Sequence, residues 1–128
     1  MTMIDRKRVE KLFPIATGLV DGLRVGHATP NTDSIRASMN AFTVLRSTRS
    51  VPMSLFHASP EELFYSRYDF DRVEELVARI VDSHRIDPLI VVVDVDSRPY
   101  VLEGAHRLGA LYLLKRKRFP AMVVIDES

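Results

Sequence analysis

The chain has no cysteine. That excludes disulfides, thiolate metal sites and cysteine nucleophiles, and it fits a reducing compartment. It has no charge excess either: 18 Lys and Arg face 17 Asp and Glu, a net charge of +1. The chain as a whole therefore carries no strong electrostatic footprint for nucleic acid. No apolar run approaches the about 18 residues that a membrane span needs. Met1 to Glu10 is charged and has no apolar signal core. Of the four histidines, His27, His57 and His84 are scattered without metal-ligand spacing. There is no internal repeat and no low-complexity tract. What remains is 128 residues, 46% hydrophobic and 27% charged, enough for one domain with a sizeable core. The expectation is a cytoplasmic domain with no membrane partner.

The most informative stretch is Glu103-Gly104-Ala105-His106-Arg107-Leu108-Gly109-Ala110. It follows the apolar run Tyr100-Val101-Leu102 and opens an apolar periodic segment ending in Lys115-Arg116-Lys117-Arg118. This reads as a strand, a glycine turn and a helix N-terminus. A helix start exposes N–H groups and the positive end of the dipole, so anions bind there, phosphate above all. Arg107 at the second or third helical position can fork onto a phosphate. His106 can donate to a phosphate, shuttle a proton or cap the helix. Glu103 at the strand end can act as a general base, hold Mg²⁺ beside phosphates, or simply form an ion pair.

Along the chain, Asp5 to Phe13 reads as a short amphipathic helix stopped by Pro14. Ile15 to Pro30 has no clean period and is left unassigned. Asn31-Thr32-Asp33-Ser34 is a capping cluster before one or two helical turns ending near Asn40; with Arg36 it can also bind an anion. Phe42 to Leu45 is a strand. Val51 to Phe56 reads as an edge strand, since Pro52 suits an edge. Asp69 or Asp71 caps a helix running to about Ser83, with Val73, Leu76, Val77, Ile80 and Val81 on one face. Leu89 to Val93 is a continuous apolar run rich in β-branched residues, a strand buried on both faces. Asp94 to Pro99 is a turn, Tyr100 to Leu102 a strand, Gly104 to Arg116 a helix and Pro120 to Ile125 the last strand.

Arg72, Glu75 and Arg79 share one stripe of the helix ending at Ser83. The stripe matters only if that helix faces the phosphate site. Lys115 to Arg118 reads as a basic helix C-terminus in favourable contact with the dipole.

At these residues the chain resembles the ParB/sulfiredoxin superfamily, from about Val51 to Val124. Val51-Pro52-Met53-Ser54 resembles the first strand of sulfiredoxins, and Asp69 to Ile80 the helix after it. Asp87-Pro88-Leu89-Ile90-Val91 resembles the shared P-I-x-V strand. Glu103 to Ala110 resembles the phosphate motif, G-G-C-H-R in sulfiredoxins and G-E-R-R in ParB proteins. Residues 1 to 48 match no branch and read as a cap or partner surface on a single domain.

The resemblance implies a nucleotide site. His106 and Arg107 match phosphate ligands of sulfiredoxins. Arg72, Glu75 and Arg79 match polar contributors on the preceding helix, where Glu75 opposes phosphate unless a metal bridges them. Ala105 occupies the position of the sulfiredoxin cysteine, so that activity is excluded. ParB proteins carry a helix-turn-helix and a dimerisation segment after this domain. The chain ends at Ser128, so a complete protein of that type is not expected. Free-serine kinases of this fold carry Asp-Gly-His-His-Arg, which adds weight to Glu103 as a catalytic or Mg²⁺-linked carboxylate.

The resulting expectation is an α/β (α+β) domain with a small mixed sheet and packed helices. It binds ATP or CTP with Mg²⁺ through Gly104, Ala105, His106, Arg107 and Arg72. Glu103 serves nucleotide hydrolysis or phosphoryl transfer to a small molecule. One alternative is a DNA-binding or nuclease domain, with Arg6, Lys7, Arg8, Lys11, Arg46, Arg49 and Lys115 to Arg118 as a basic face. The other is a non-catalytic module for a protein partner.

Overall fold

Leu89–Val93 shows how the sheet is organised. All five residues are buried, as expected of a β-branched run covered on both faces. In the computed structural model, which describes residues 6–26, 42–56, 67–93 and 99–126, this run is β6. The elements in chain order are α1 (Arg6–Leu12), β1 (Leu19–Val20), β2 (Leu23–Val25), β3 (Phe42–Val44), β4 (Arg49–Pro52), a 3-10 turn (Met53–Leu55), α2 (Arg67–Ser83), β5 (Arg85–Ile86), β6, β7 (Pro99–Glu103), α3 (Ala105–Leu113) and β8 (Arg118–Asp126). This is a small α+β domain with two mixed sheets.

In the larger sheet β8 and β6 are the inner strands, and β8 joins the two sides. β8 pairs in parallel with β6 along one side. Its other side takes β3 near its end and β4 near its start, both antiparallel. β6 pairs antiparallel with β7. The residues of β6 alternate between two apolar clusters. Leu89, Val91 and Val93 join the main core with Val73 and Ile80 of α2 and Leu108 and Leu111 of α3. Ile90 and Val92 pack with Val124 on the opposite face. The two longer helices thus cover one face of the sheet, held by non-directional apolar burial. Pro120 tolerates its inner position because Ser50, opposite it, sends its own N–H away from β8 to the Pro14 carbonyl (2.8 Å). The missing Pro120 N–H falls on the β6 side, one residue before that pairing begins at Ala121.

The unassigned stretch after Ile15 contains a hairpin. Asp21 and Gly22 both have positive φ, +47° and +81°, between the paired residues Val20 and Leu23. Positive φ at both centres is what a two-residue hairpin with right-handed twist requires. β2 then runs parallel to β5, closing a second, three-stranded sheet. Val9, Phe13 and Leu23 enter the same core as α2 and α3.

Several boundaries differ from the expectations. β4 begins at Arg49 and ends at Pro52, where a 3-10 turn takes over. Its outer side is not bare, since Ser50 N–H and Ala16 N–H bond across to Pro14 and Thr48. Asp69 does not cap α2, which has already started at Arg67. Val81 lies outside the apolar face and is exposed. α3 ends at Leu113, and Lys115 turns the chain with φ +57°. The basic run starts at the cap of α3, where the Lys115 and Arg116 N–H groups bond the Tyr112 and Leu111 carbonyls (both 3.0 Å), and continues into β8. Arg116 bonds the Asp21 carbonyl (3.0 Å), and Arg118 lies in β8 and bonds Ser50 (2.7 Å). The readings for Asp5, for Asn31 to Asn40 with Arg36, and for 94–98 lie outside the described residues.

Candidate functional site

The N-terminus of α3 opens on a cleft of about 330 Å³ lined by Arg72, Leu76, Arg79, Asp87, Gly104, Ala105, His106 and Arg107. Local geometry explains why the motif sits there. Gly104 is the residue before the helix and adopts a left-handed conformation, φ 106° and ψ 25°, with no side chain to cap α3. A Cβ at this position would stand 2.7 Å from Leu89 Cγ and 3.3 Å from an Arg107 nitrogen. Only glycine combines that φ with that approach. The first helical bond runs from Leu108 N–H to the Gly104 carbonyl (2.8 Å). The N–H groups of Ala105, His106 and Arg107 precede it and have no acceptor within the helix.

The antiparallel β6–β7 pair brings the other wall. Ile90 pairs with Glu103, so Asp87 and Pro88, just before β6, lie beside Gly104. Arg107 Nη1 donates to both the Asp87 carbonyl (2.8 Å) and the Pro88 carbonyl (2.9 Å). Arg107 therefore clamps the loop leading into β6 to the start of α3, besides lining the cleft. The Asp87 side chain lies against Gly26, where any Cβ would collide with its carboxylate. The last residue of the described N-terminal segment thus touches the cleft wall.

α2 supplies the remaining charges. Arg72 and Arg79 both line the cleft, so the stripe does face the site. Glu75 is not a lining residue; it holds Arg72 in an i,i+3 ion pair of 3.0 Å. Arg79 makes no side-chain bond among the described residues. His106 Nε2 lies 2.7 Å from Asp69 Oδ1, a pairing of first turns from two helices. Three arginines against one lining carboxylate, with the positive end of the α3 dipole, make the cleft attractive to anions.

The structure thus brings together Arg72, Gly104, Ala105, His106 and Arg107 from the expected set. Glu103 ends β7, and its side chain lies outside the described residues. Asp69 and Asp87 were missed as site residues. Pairing β6 antiparallel with β7 would have placed Asp87 at the motif; nothing local marks Asp69. Among the described residues no group of three His, Asp or Glu could hold a metal. No helix among them is long and apolar enough to cross a membrane.

A left-handed glycine between a strand and a helix thus opens on an arginine-lined cleft in a small α+β domain. The chain belongs to the ParB N-terminal domain family, whose model matches residues 37–128. No curated protein and no solved structure matches it.

Proposed function

We propose that the cleft binds the phosphates of a nucleoside triphosphate, ATP or CTP, and serves phosphoryl transfer from it. The observation that carries this reading is the meeting of Arg72 and Arg79 of α2 with the helix start at Gly104 to Arg107 in one cleft. Guanidinium groups and backbone N–H groups are the usual partners of phosphate oxygens. Phosphoryl transfer asks little of a protein beyond positioning and charge stabilisation. Mg²⁺ commonly binds through one or two carboxylates plus the phosphates themselves. Asp87 is the lining carboxylate suited to that role, with Glu103 as the second candidate, and the ion would offset charge on the phosphate oxygens.

Three of the basic residues that suggest a nucleic-acid face are engaged within the chain. Arg49 is buried and bonds the Arg46 and Phe13 carbonyls, while Arg116 and Arg118 bond Asp21 and Ser50. Nucleotide is therefore the favoured ligand.

The test is a thermal-shift and calorimetric panel of ATP, CTP, GTP and ADP with Mg²⁺, on the wild type and on Arg79→Ala. A ligand that binds only the folded state raises the melting temperature. The expected result is a shift with ATP or CTP and about tenfold weaker binding in the variant, equivalent to ~1.4 kcal/mol. Absence of a shift with every nucleotide refutes the reading.

A further inference from the structure

Phosphate binding alone does not account for Asp69. Its carboxylate stands beside the anion site, where a second negative charge opposes phosphate. It lies 2.7 Å from His106 Nε2, although the residues are 37 apart in sequence. Their side chains are 24% and 39% exposed, respectively, so solvent reaches both. An ionised carboxylate only accepts, so Nε2 carries the proton and the basic nitrogen of the neutral ring is Nδ1. A carboxylate that fixes the tautomer of a histidine and steadies its protonated form is the arrangement by which a ring becomes a general base. Asp69 and His106 come from separate helices whose first turns converge on the cleft. The pair therefore exists only when the cleft is assembled.

We propose that His106 is the general base of phosphoryl transfer at this site and that Asp69 is its positioning residue. The inference rests on the cleft binding a nucleoside triphosphate. With water as acceptor, the water oxygen attacks the terminal phosphorus and its proton passes to His106 Nδ1. The bond from that phosphorus to the bridging oxygen breaks, and its electron pair leaves with the nucleoside diphosphate. Inorganic phosphate and an imidazolium held by Asp69 remain, and the imidazolium returns its proton to solvent. Arg72 and Arg79 face the same space and offset the charge on the phosphate oxygens. This assigns the proton transfer to α2 and α3, and leaves Asp87, with Glu103 as the second candidate, to the metal.

The experiment measures binding and turnover separately in the full chain, using ATP and CTP with Mg²⁺ as probes and phosphate release as the readout. Asp69→Asn is expected to bind within about threefold of wild type while kcat falls roughly ten- to a hundredfold. His106→Ala is expected to lose roughly 10²- to 10⁴-fold in kcat, the usual range for a general base, and to recover part of it with added imidazole. A merely structural histidine would show no such rescue. Asp69→Asn turning over at the wild-type rate overturns the proposal, whether or not His106→Ala folds. Wild-type protein that binds either nucleotide but releases no phosphate overturns it and leaves the binding reading standing. Failure to bind either nucleotide overturns both.

Discussion

The two ends of α3 carry similar chemistry and opposite fates. At the start, Gly104 takes a positive φ and His106 and Arg107 follow; at the finish, Lys115 takes a positive φ and Arg116 to Arg118 follow. The start faces a cleft shared with Arg72 and Arg79. At the finish, Asp21 accepts from Arg116 and from the Lys117 N–H, and Ser50 accepts from Arg118. A basic residue informs about function only after the bonds it makes within its own chain are known. Arg107 shows the intermediate case, since it lines the cleft and also holds two loop carbonyls.

Three substitutions sharpen that contrast, in order of expected size. Gly104→Ala forces a Cβ into Leu89, which is fully buried, at a φ that alanine resists. The expected loss is about 2–4 kcal/mol by denaturant unfolding; a loss below about 1 kcal/mol would mean that the start of α3 is not held as described. Asp21→Ala removes the acceptor of the 2.7 Å bond from Lys117 N–H at the other end. It is expected to lower stability by about 1 kcal/mol with nucleotide affinity unchanged. A parallel drop in affinity would show that the two ends are coupled. Glu75→Gln removes an exposed ion pair worth about 0.5 kcal/mol or less and releases Arg72 toward the cleft. Calorimetry is expected to show unchanged stability and roughly twofold tighter nucleotide binding, since one opposing charge is gone. Weaker binding would instead mean that Glu75 positions Arg72 for the ligand.

Much of this architecture was legible because local pattern and tertiary environment agree. β6 is an unbroken apolar run, β-branched from Ile90 to Val93, since both its faces are covered, and α2 repeats Val73 and Ile80 at helical spacing against one core. The motif at Gly104 was readable because the strand, the left-handed turn and the helix start are consecutive. β1 and β2 were harder. They are two and three residues long, too short for a period, and β2 is held by pairing with β5, far along the chain. The Asp21-Gly22 pair was nonetheless a hairpin signal in plain view. The early end of α3 was hidden because Lys115 takes the left-handed turn that glycine usually marks. Asp69 was hidden for a different reason: in sequence it is an acidic residue near a helix start, and its partner lies in another helix.

The placement of β8 bears on how the protein is made. It separates β6 from β3 and β4, and its bonds to β4 join residues 68 apart. Loop closure over that distance must precede any gain from the pairing, which slows folding relative to helix formation. On a ribosome, β3 and β4 emerge long before the strand that completes their sheet. Until Arg118 to Asp126 clears the exit, their edges and the apolar residues of β6 await a neighbour, and that is the interval in which a chaperone or a wrong strand would find them.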